Sequence, residues 1–201
     1  MNRFTDSYFF SSQPTLAEVM DHELKQFKIH QSLSLPLYVN LRLSFLEKQI
    51  HAELNAAYVA AFQPKVAVFA GSFNPFHKGH YNVLQKAERI FDKVIVAFGK
   101  NPEKDGHPYK VPTTLNNRQV EQYDSLLTDF ISSLGHDVTV IRGLRNSTDF
   151  QYEQNQYRYI QELMPDIKIV NIFCDKEFEH ISSSGIRTLE PFGRHRNYLL
   201  E

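Results

Sequence analysis

Apolar side chains recur along this chain with two different periods, and the change falls near Lys65. In TLAEVMDHELKQFKIH (15–30) they stand at Leu16, Val19, Met20, Leu24 and Phe27, the three- and four-residue spacing of an amphipathic helix. Pro14 and Thr15 mark its start. After Pro36 the same period runs through Leu43, Leu46, Ile50, Leu54, Ala57 and Phe62 as far as Pro64, whose ring cannot continue a helix. Residues 1–63 are predicted to form a helical extension, and residues 64–201 a separate domain.

From Lys65 onward short apolar runs alternate with helical stretches, the pattern of repeated βα units around a parallel sheet. Strands are predicted at KVAVFA (65–70), KVIVAF (93–98), DVTVI (137–141) and IKIVNIF (167–173). The first helix follows GSFNPFHKGH, with Leu84, Ala87 and Phe91 on its inner face; a second is predicted between Thr114 and Leu134. A third carries the inner stripe Phe150, Tyr157, Ile160 and Met164, and a last one begins near ISSSGIR (181–187), where serines can cap the free amides of its first turn. The predicted class is α/β, a Rossmann-like doubly wound parallel sheet with an α-helical N-terminal extension.

Composition narrows the partners. All eight glycines lie at or after Gly71, so turns that need glycine belong to the second part alone. With 22 basic and 23 acidic side chains the formal net charge is −1, which leaves no overall basic field to hold nucleic acid or an anionic membrane. Any polyanion has to be gripped locally. The one cysteine, Cys174, excludes an internal disulfide and reads as a buried small apolar residue. No apolar run reaches the roughly 18–20 residues of a membrane span, and the first residues lack a secretory apolar region. The cytoplasm is the expected location, with neither nucleic acid nor membrane as a partner.

Ligands of a doubly wound sheet bind beyond the carboxyl ends of its strands. Three polar loops are predicted to emerge there: GSFNPFHKGH (71–80), RGLRNSTD (142–149) and EHISSSGIR (179–187). The first and third open helices whose N-terminal amides favour anions, and Gly71 and Gly79 would let backbone approach a phosphate without a Cβ in the way. Arg142 and Arg145 add two permanently charged forks, and Lys104 a movable point charge. Together they read as a polyphosphate site, although neither a Walker A loop nor a GxGxxG fingerprint is present. Plainer readings exist for single members. His77 and His80 could be an HxxH metal pair, but no third ligand follows nearby. Ser182 to Ser184 taken alone is a capping run, and Lys104 in its polar loop reads by default as a solvated lysine. Tyr152, Tyr157 and Tyr159 read as helix packing rather than a base-stacking platform.

Three motifs occur in order: GSFNP (Gly71 to Pro75) leading into HKGH (His77 to His80), RGLRNSTDFQYE (142–153), and ISSS (181–184). In these the chain resembles the HxGH nucleotidyltransferase superfamily, and more closely the bacterial phosphopantetheine adenylyltransferases with their RGLR-x3-DFxYE segment. The resemblance implies transfer of AMP from ATP to 4′-phosphopantetheine, with His80 and Lys104 as catalytic residues. It further implies that Ser72, Lys104 and Arg142 meet the acceptor. ATP would be held by Gly71, Ser72, Phe73, His77, Gly79, His80, Gly143, Leu144, Arg145, Glu153, Phe178, Ile181, Ser182, Ser183, Ser184 and Arg187, with Mg2+ carried on its oxygens.

Three departures keep other acceptors open. His77 stands where the phosphopantetheine enzymes usually have threonine, and GSFNPxHxGH with ISSSxIR is similar to nicotinate mononucleotide adenylyltransferases. The stretch from Arg118 to Arg142 is shorter than in the phosphopantetheine enzymes. Residues 1–63 have no counterpart in compact bacterial members, and read as an oligomerisation element or a lid, which leaves a homo-oligomer among the partners. A non-catalytic nucleotide-binding regulator or scaffold is the alternative from a different class.

Overall fold

The computed structural model describes residues 34–35, 64–100 and 111–200. The predicted helices of the extension and Lys104 lie outside the described residues. The chain divides into two units, Met1–Pro64 and Lys65–Glu201, and the second contains the sheet.

Five parallel strands form one sheet in the order β3-β2-β1-β4-β5. They are β1 (Val66–Gly71), β2 (Lys93–Gly99), β3 (Val120–Tyr123), β4 (Val138–Leu144) and β5 (Lys168–Phe173). β1 and β2 are buried almost throughout, as expected of central parallel strands covered on both faces. β1 pairs with β2 from Val66↔Lys93 to Gly71↔Phe98, and with β4 from Val66↔Val138 to Phe69↔Ile141. Because the chain moves from β1 outward through β2 and β3, then returns to the other side of β1 with β4, the strand order reverses between β1 and β4. A crevice opens at the carboxyl ends of those two strands.

Among the described residues four helices flank the sheet: α1 (Lys78–Ala87), α2 (Leu127–Ser133), α3 (Ser147–Leu163) and α4 (Ser183–Leu189). α1 lays Val83, Leu84 and Ala87 into a core with Ala67, Phe69, Val94, Val96, Phe98 and Ile141. Asn146 caps α3 by accepting the Asp149 amide at 3.1 Å, and Ser182 caps α4 by accepting the Gly185 amide at 3.0 Å. Among the described residues no helix is long and apolar enough to cross a membrane.

Two expectations are corrected. The helix predicted between Thr114 and Leu134 is instead a 3-10 turn (Thr113–Leu115), strand β3 and the short helix α2. β2 has an open edge, and Val120–Tyr123 takes it in register with Val96–Gly99; those backbone bonds outweigh a weak helical period, and Tyr123 then stacks on Phe130 at 4.7 Å. Arg118 secures the approach, donating to both oxygens of Glu88 at 2.6 and 3.0 Å. The stripe on α3 also behaves differently. No residue of α3 is buried; Phe150, Tyr157 and Ile160 line a cavity of about 310 Å³ together with Arg142, Glu153, Gln154, Ile169 and Asn171.

Candidate active site

β1 ends at Gly71, and the chain doubles back at once through Phe73, whose φ is +42°, and a cis Asn74–Pro75 peptide. A Cβ on Gly71 would lie 2.7 Å from Phe73 Cε1. Gly79 is similar in kind, with the His77 ring at 3.2 Å from the position of its Cβ and Phe178 Cβ at 3.7 Å. The position a Cβ would take at each glycine is thus occupied by rings of the protein's own loops. Gly71→Ala should lower stability by about 1–3 kcal/mol through overpacking, a loss that a thermal melt will record.

The doubled-back loop buries Phe73 and Phe76, and these form a box around His80. Ring centroids lie 4.9 Å from His80 for Phe73, 5.3 Å for Phe76 and 6.5 Å for Phe69. His77 stacks on His80 at 3.6 Å with 20° between the planes. The two histidines also cap α1 reciprocally. His77 Nδ1 accepts the His80 amide at 3.4 Å, and His80 Nδ1 accepts the His77 amide at 3.3 Å. An accepting Nδ1 carries no proton, so the neutral tautomer inferred for each ring holds its hydrogen on Nε2. Among the described residues His80 Nε2 has no hydrogen-bond partner.

Both rings resist protonation. Burial, reinforced by the Arg145 guanidinium, lowers the His77 pKa to about 3, and burial, then His77 and Arg145, holds His80 well below the ordinary imidazole value. The unfolded chain would protonate these histidines near pH 6.5, whereas the folded state refuses that proton until far lower pH. Stability is therefore fully present above about pH 6.5 and falls as the pH drops toward about 3. Thermal melts between pH 7.5 and 5 should show this fall, and His77→Asn should flatten it.

Hydrogen bonds join the three predicted loops. Ser183, at the start of α4, donates to the Pro75 carbonyl at 3.0 Å, and Arg187 donates to the Asn74 carbonyl. Arg145, just past β4, lies 3.5 Å from the Ile181 carbonyl through Nη1. The bend after β1, the bend after β4 and the bend before α4 therefore meet at one place, above the crevice.

The arginines are themselves held in place. Arg142 gives two hydrogen bonds to Glu153 at 2.6 and 2.7 Å and one to the Ala70 carbonyl at 3.1 Å. Its burial, which alone would lower the pKa, is outweighed by Glu153, and the pKa is raised. Arg145 clasps Asp149 with Nε and Nη2, both at 2.8 Å, and Asp149 also accepts the Arg145 amide at 2.9 Å. The Asp149 hydrogen bond is the main cause that raises the Arg145 pKa. Both guanidiniums remain charged at any working pH and are oriented by carboxylates.

Not every residue expected at the site presents its side chain there. Phe73, Leu144 and Ile181 are buried in the core, so only their backbone is available to a ligand. Phe178 packs against the core beside Gly79. Ser183 and Arg187 spend hydrogen bonds on the loop after β1, and Glu153 on Arg142, which makes these three supports of the site. Ser182 caps α4 and meets Ser184 Oγ at 3.3 Å. Gly143 lies on the α1 side of β4, where a Cβ would sit 3.3 Å from Val83. Ser72 follows Gly71 in the same bend. Sequence reasoning missed Asp149, although its spacing of four from Arg145 on a helix start is a readable signal. It missed Asn74 too, a buried residue whose Nδ2 has no partner among the described residues.

The family model described as cytidylyltransferase-like matches residues 68–189. The chain belongs to the cytidylyltransferase-like family. A phosphopantetheine adenylyltransferase of Streptococcus pneumoniae is 36% identical over 140 residues, covering 65% of this chain and 86% of that protein. The phosphopantetheine adenylyltransferase of Mycoplasma mycoides subsp. mycoides is 36% identical over 135 residues, covering 63% of this chain and 96% of its own length. Among solved structures, a bifunctional NMN adenylyltransferase/ADP ribose pyrophosphatase of Francisella tularensis, complexed with AMP and a manganese ion, is 17% identical with a TM-score of 0.45. That match covers 68% of this chain and 44% of the other.

Proposed function

We propose that this chain is an adenylyltransferase that moves AMP from ATP to 4′-phosphopantetheine, giving dephospho-coenzyme A and pyrophosphate. The observation that carries the reading is the meeting of three bends around His80, in a chain about one-third identical to phosphopantetheine adenylyltransferases. The acceptor is an ionised phosphate and needs no strong base. One of its oxygens attacks the α-phosphorus in line, the bond to the bridging oxygen breaks, and pyrophosphate leaves with the electron pair.

Catalysis then consists of positioning and of donors aimed where negative charge grows. His80 Nε2–H is such a donor. It is neutral, boxed by phenylalanines and tied at Nδ1, so little reorganisation is needed when charge develops on a phosphate oxygen. Arg145 and the backbone of Gly143 and Leu144 hold the nucleotide from one side, and the Ser182–Ser184 bend from the other. Arg142 receives the acceptor phosphate, and the cavity beside it takes the arm. Its walls suit an arm of methylenes and amides, since Phe150, Tyr157, Ile160 and Ile169 are apolar while Gln154 and Asn171 can pair with amides. Lys104, by resemblance, neutralises the reacting phosphates. Mg2+, by the same resemblance, arrives as part of the nucleotide substrate, where it offsets phosphate charge.

Within this reading residues 64–201 are the catalytic domain, residues 1–63 an appended element, and the cytoplasm the place of work. Purified protein with ATP, Mg2+ and 4′-phosphopantetheine should release pyrophosphate and form dephospho-coenzyme A. Turnover with nicotinate mononucleotide and none with phosphopantetheine would reassign the acceptor. ATP binding without turnover of any phosphorylated acceptor would favour a regulator or scaffold.

A further inference from the structure

The segment that follows α4 returns to the histidine pair. It makes a 3-10 turn at Glu190–Phe192, reverses at Gly193 with φ +67°, and makes a second such turn at Arg196–Tyr198. Leu199 then forms an antiparallel bridge with His77, and Lys78 Nζ donates to the Asn197 carbonyl at 2.7 Å. On its other side the Tyr198 ring meets His180 edge-on at 6.0 Å, in the bend that precedes α4. Leu200 packs against the core that contains Phe73 and Phe76. Four consecutive residues thus touch two of the three bends and the core to which the phenylalanine box belongs.

The first turn of α1 needs such support. Histidine is not among the residues that cap helices well, and the two capping bonds at 3.3 and 3.4 Å lie at the long end of hydrogen bonding. His77 has extended backbone angles, φ −136° and ψ 174°, which is what allows it to pair with Leu199 as a strand would. We propose that residues 197–200 act as a strap that positions His80, with Lys78 and Tyr198 as positioning residues that fix the strap to the α1 turn and to the bend before α4. The inference rests on the adenylyltransferase reading for its kinetic effect. The Lys78 bond is exposed and adds little to global stability, so its loss displaces the histidines without unfolding the protein.

The test uses Lys78→Met, Lys78→Arg and Tyr198→Ala in the full chain. Lys78→Met and Tyr198→Ala should lower kcat, the parameter His80 controls, by about tenfold and raise the KM for ATP with it, since small displacements of a catalytic donor that also meets the ATP phosphates are costly. KM does not depend on how much protein is folded, and Tm should stay within about 2 °C. Ring-proton NMR signals of His77 and His80, displaced by their stacking, should move in both variants, and Lys78→Arg should restore signals, kcat and KM together. Unmoved histidine signals in Lys78→Met and Tyr198→Ala overturn the strap. So does a lowered Tm with kcat and KM unchanged, which would make the contacts merely structural. A wild-type protein that never adenylylates phosphopantetheine defeats the functional reading instead, and the NMR signals still judge the strap without substrate.

Discussion

His80→Ala is expected to lower kcat by about two to three orders of magnitude, the usual effect of removing one donor aimed at developing negative charge. Stability should change much less, because a half-buried polar ring is lost from a box that Phe69, Phe73 and Phe76 still close. The donor is a neutral imidazole, held so by burial and by Arg145, so activity should not require a protonated histidine. A pH profile of kcat that fell on raising the pH through 6 to 7 would contradict this assignment. His80→Asn keeps a donor at shorter reach and should recover part of the loss, whereas a polar side chain with no donor should not. If His80→Ala unfolds, or retains full kcat, the ring is structural and the proposed mechanism fails.

The second large effect concerns the Arg142–Glu153 pair, whose side chains are only 20% and 15% exposed. Glu153→Ala leaves a guanidinium in the crevice with the Ala70 carbonyl still accepting from it. Breaking one side of such a pair costs about 3–5 kcal/mol when burial is complete, and the residual exposure here argues for about 2–3 kcal/mol. Chemical denaturation will measure it. Arg142→Ala should lose less stability but raise the acceptor KM at least tenfold, with the ATP KM nearly unchanged, because Arg142 shares its surroundings with the cavity and not with the histidine pair. Arg142→Met combined with Glu153→Leu separates the two roles. The apolar pair should regain most of the stability, while acceptor affinity stays lost. Recovery of both would mean that Arg142 never touched the acceptor.

Much of the fold was readable in one dimension because its cause is local. The buried strands β1 and β2 announce themselves as unbroken apolar runs, and the amphipathic period of α1 puts Leu84 and Ala87 inside. β3 was not readable. Val120–Tyr123 carries little apolar signal, and it is a strand because β2 offers an unpaired edge, a circumstance that no neighbouring residue encodes. The stripe on α3 failed for a related reason: periodicity reports an apolar face, but not whether protein packs against that face or a cavity is left beside it.

The candidate site divides in the same way. The order of residues along the chain determined which side chains are present: two histidines three apart at a helix start, arginines flanking Gly143, serines at the next helix start, and the residues shared with phosphopantetheine adenylyltransferases. Only the tertiary structure decided what each of them does. It gave the spaces beside Gly71 and Gly79 to aromatic rings, turned Ser183 and Arg187 toward the loop after β1, paired Arg142 with Glu153, and returned Leu199 to His77. Side-chain chemistry is a property of single residues and can be read from a string of letters. Hydrogen-bond partners, burial and the pKa values that result are set by groups distant in the chain, and these exist only once the sheet has brought the bends together.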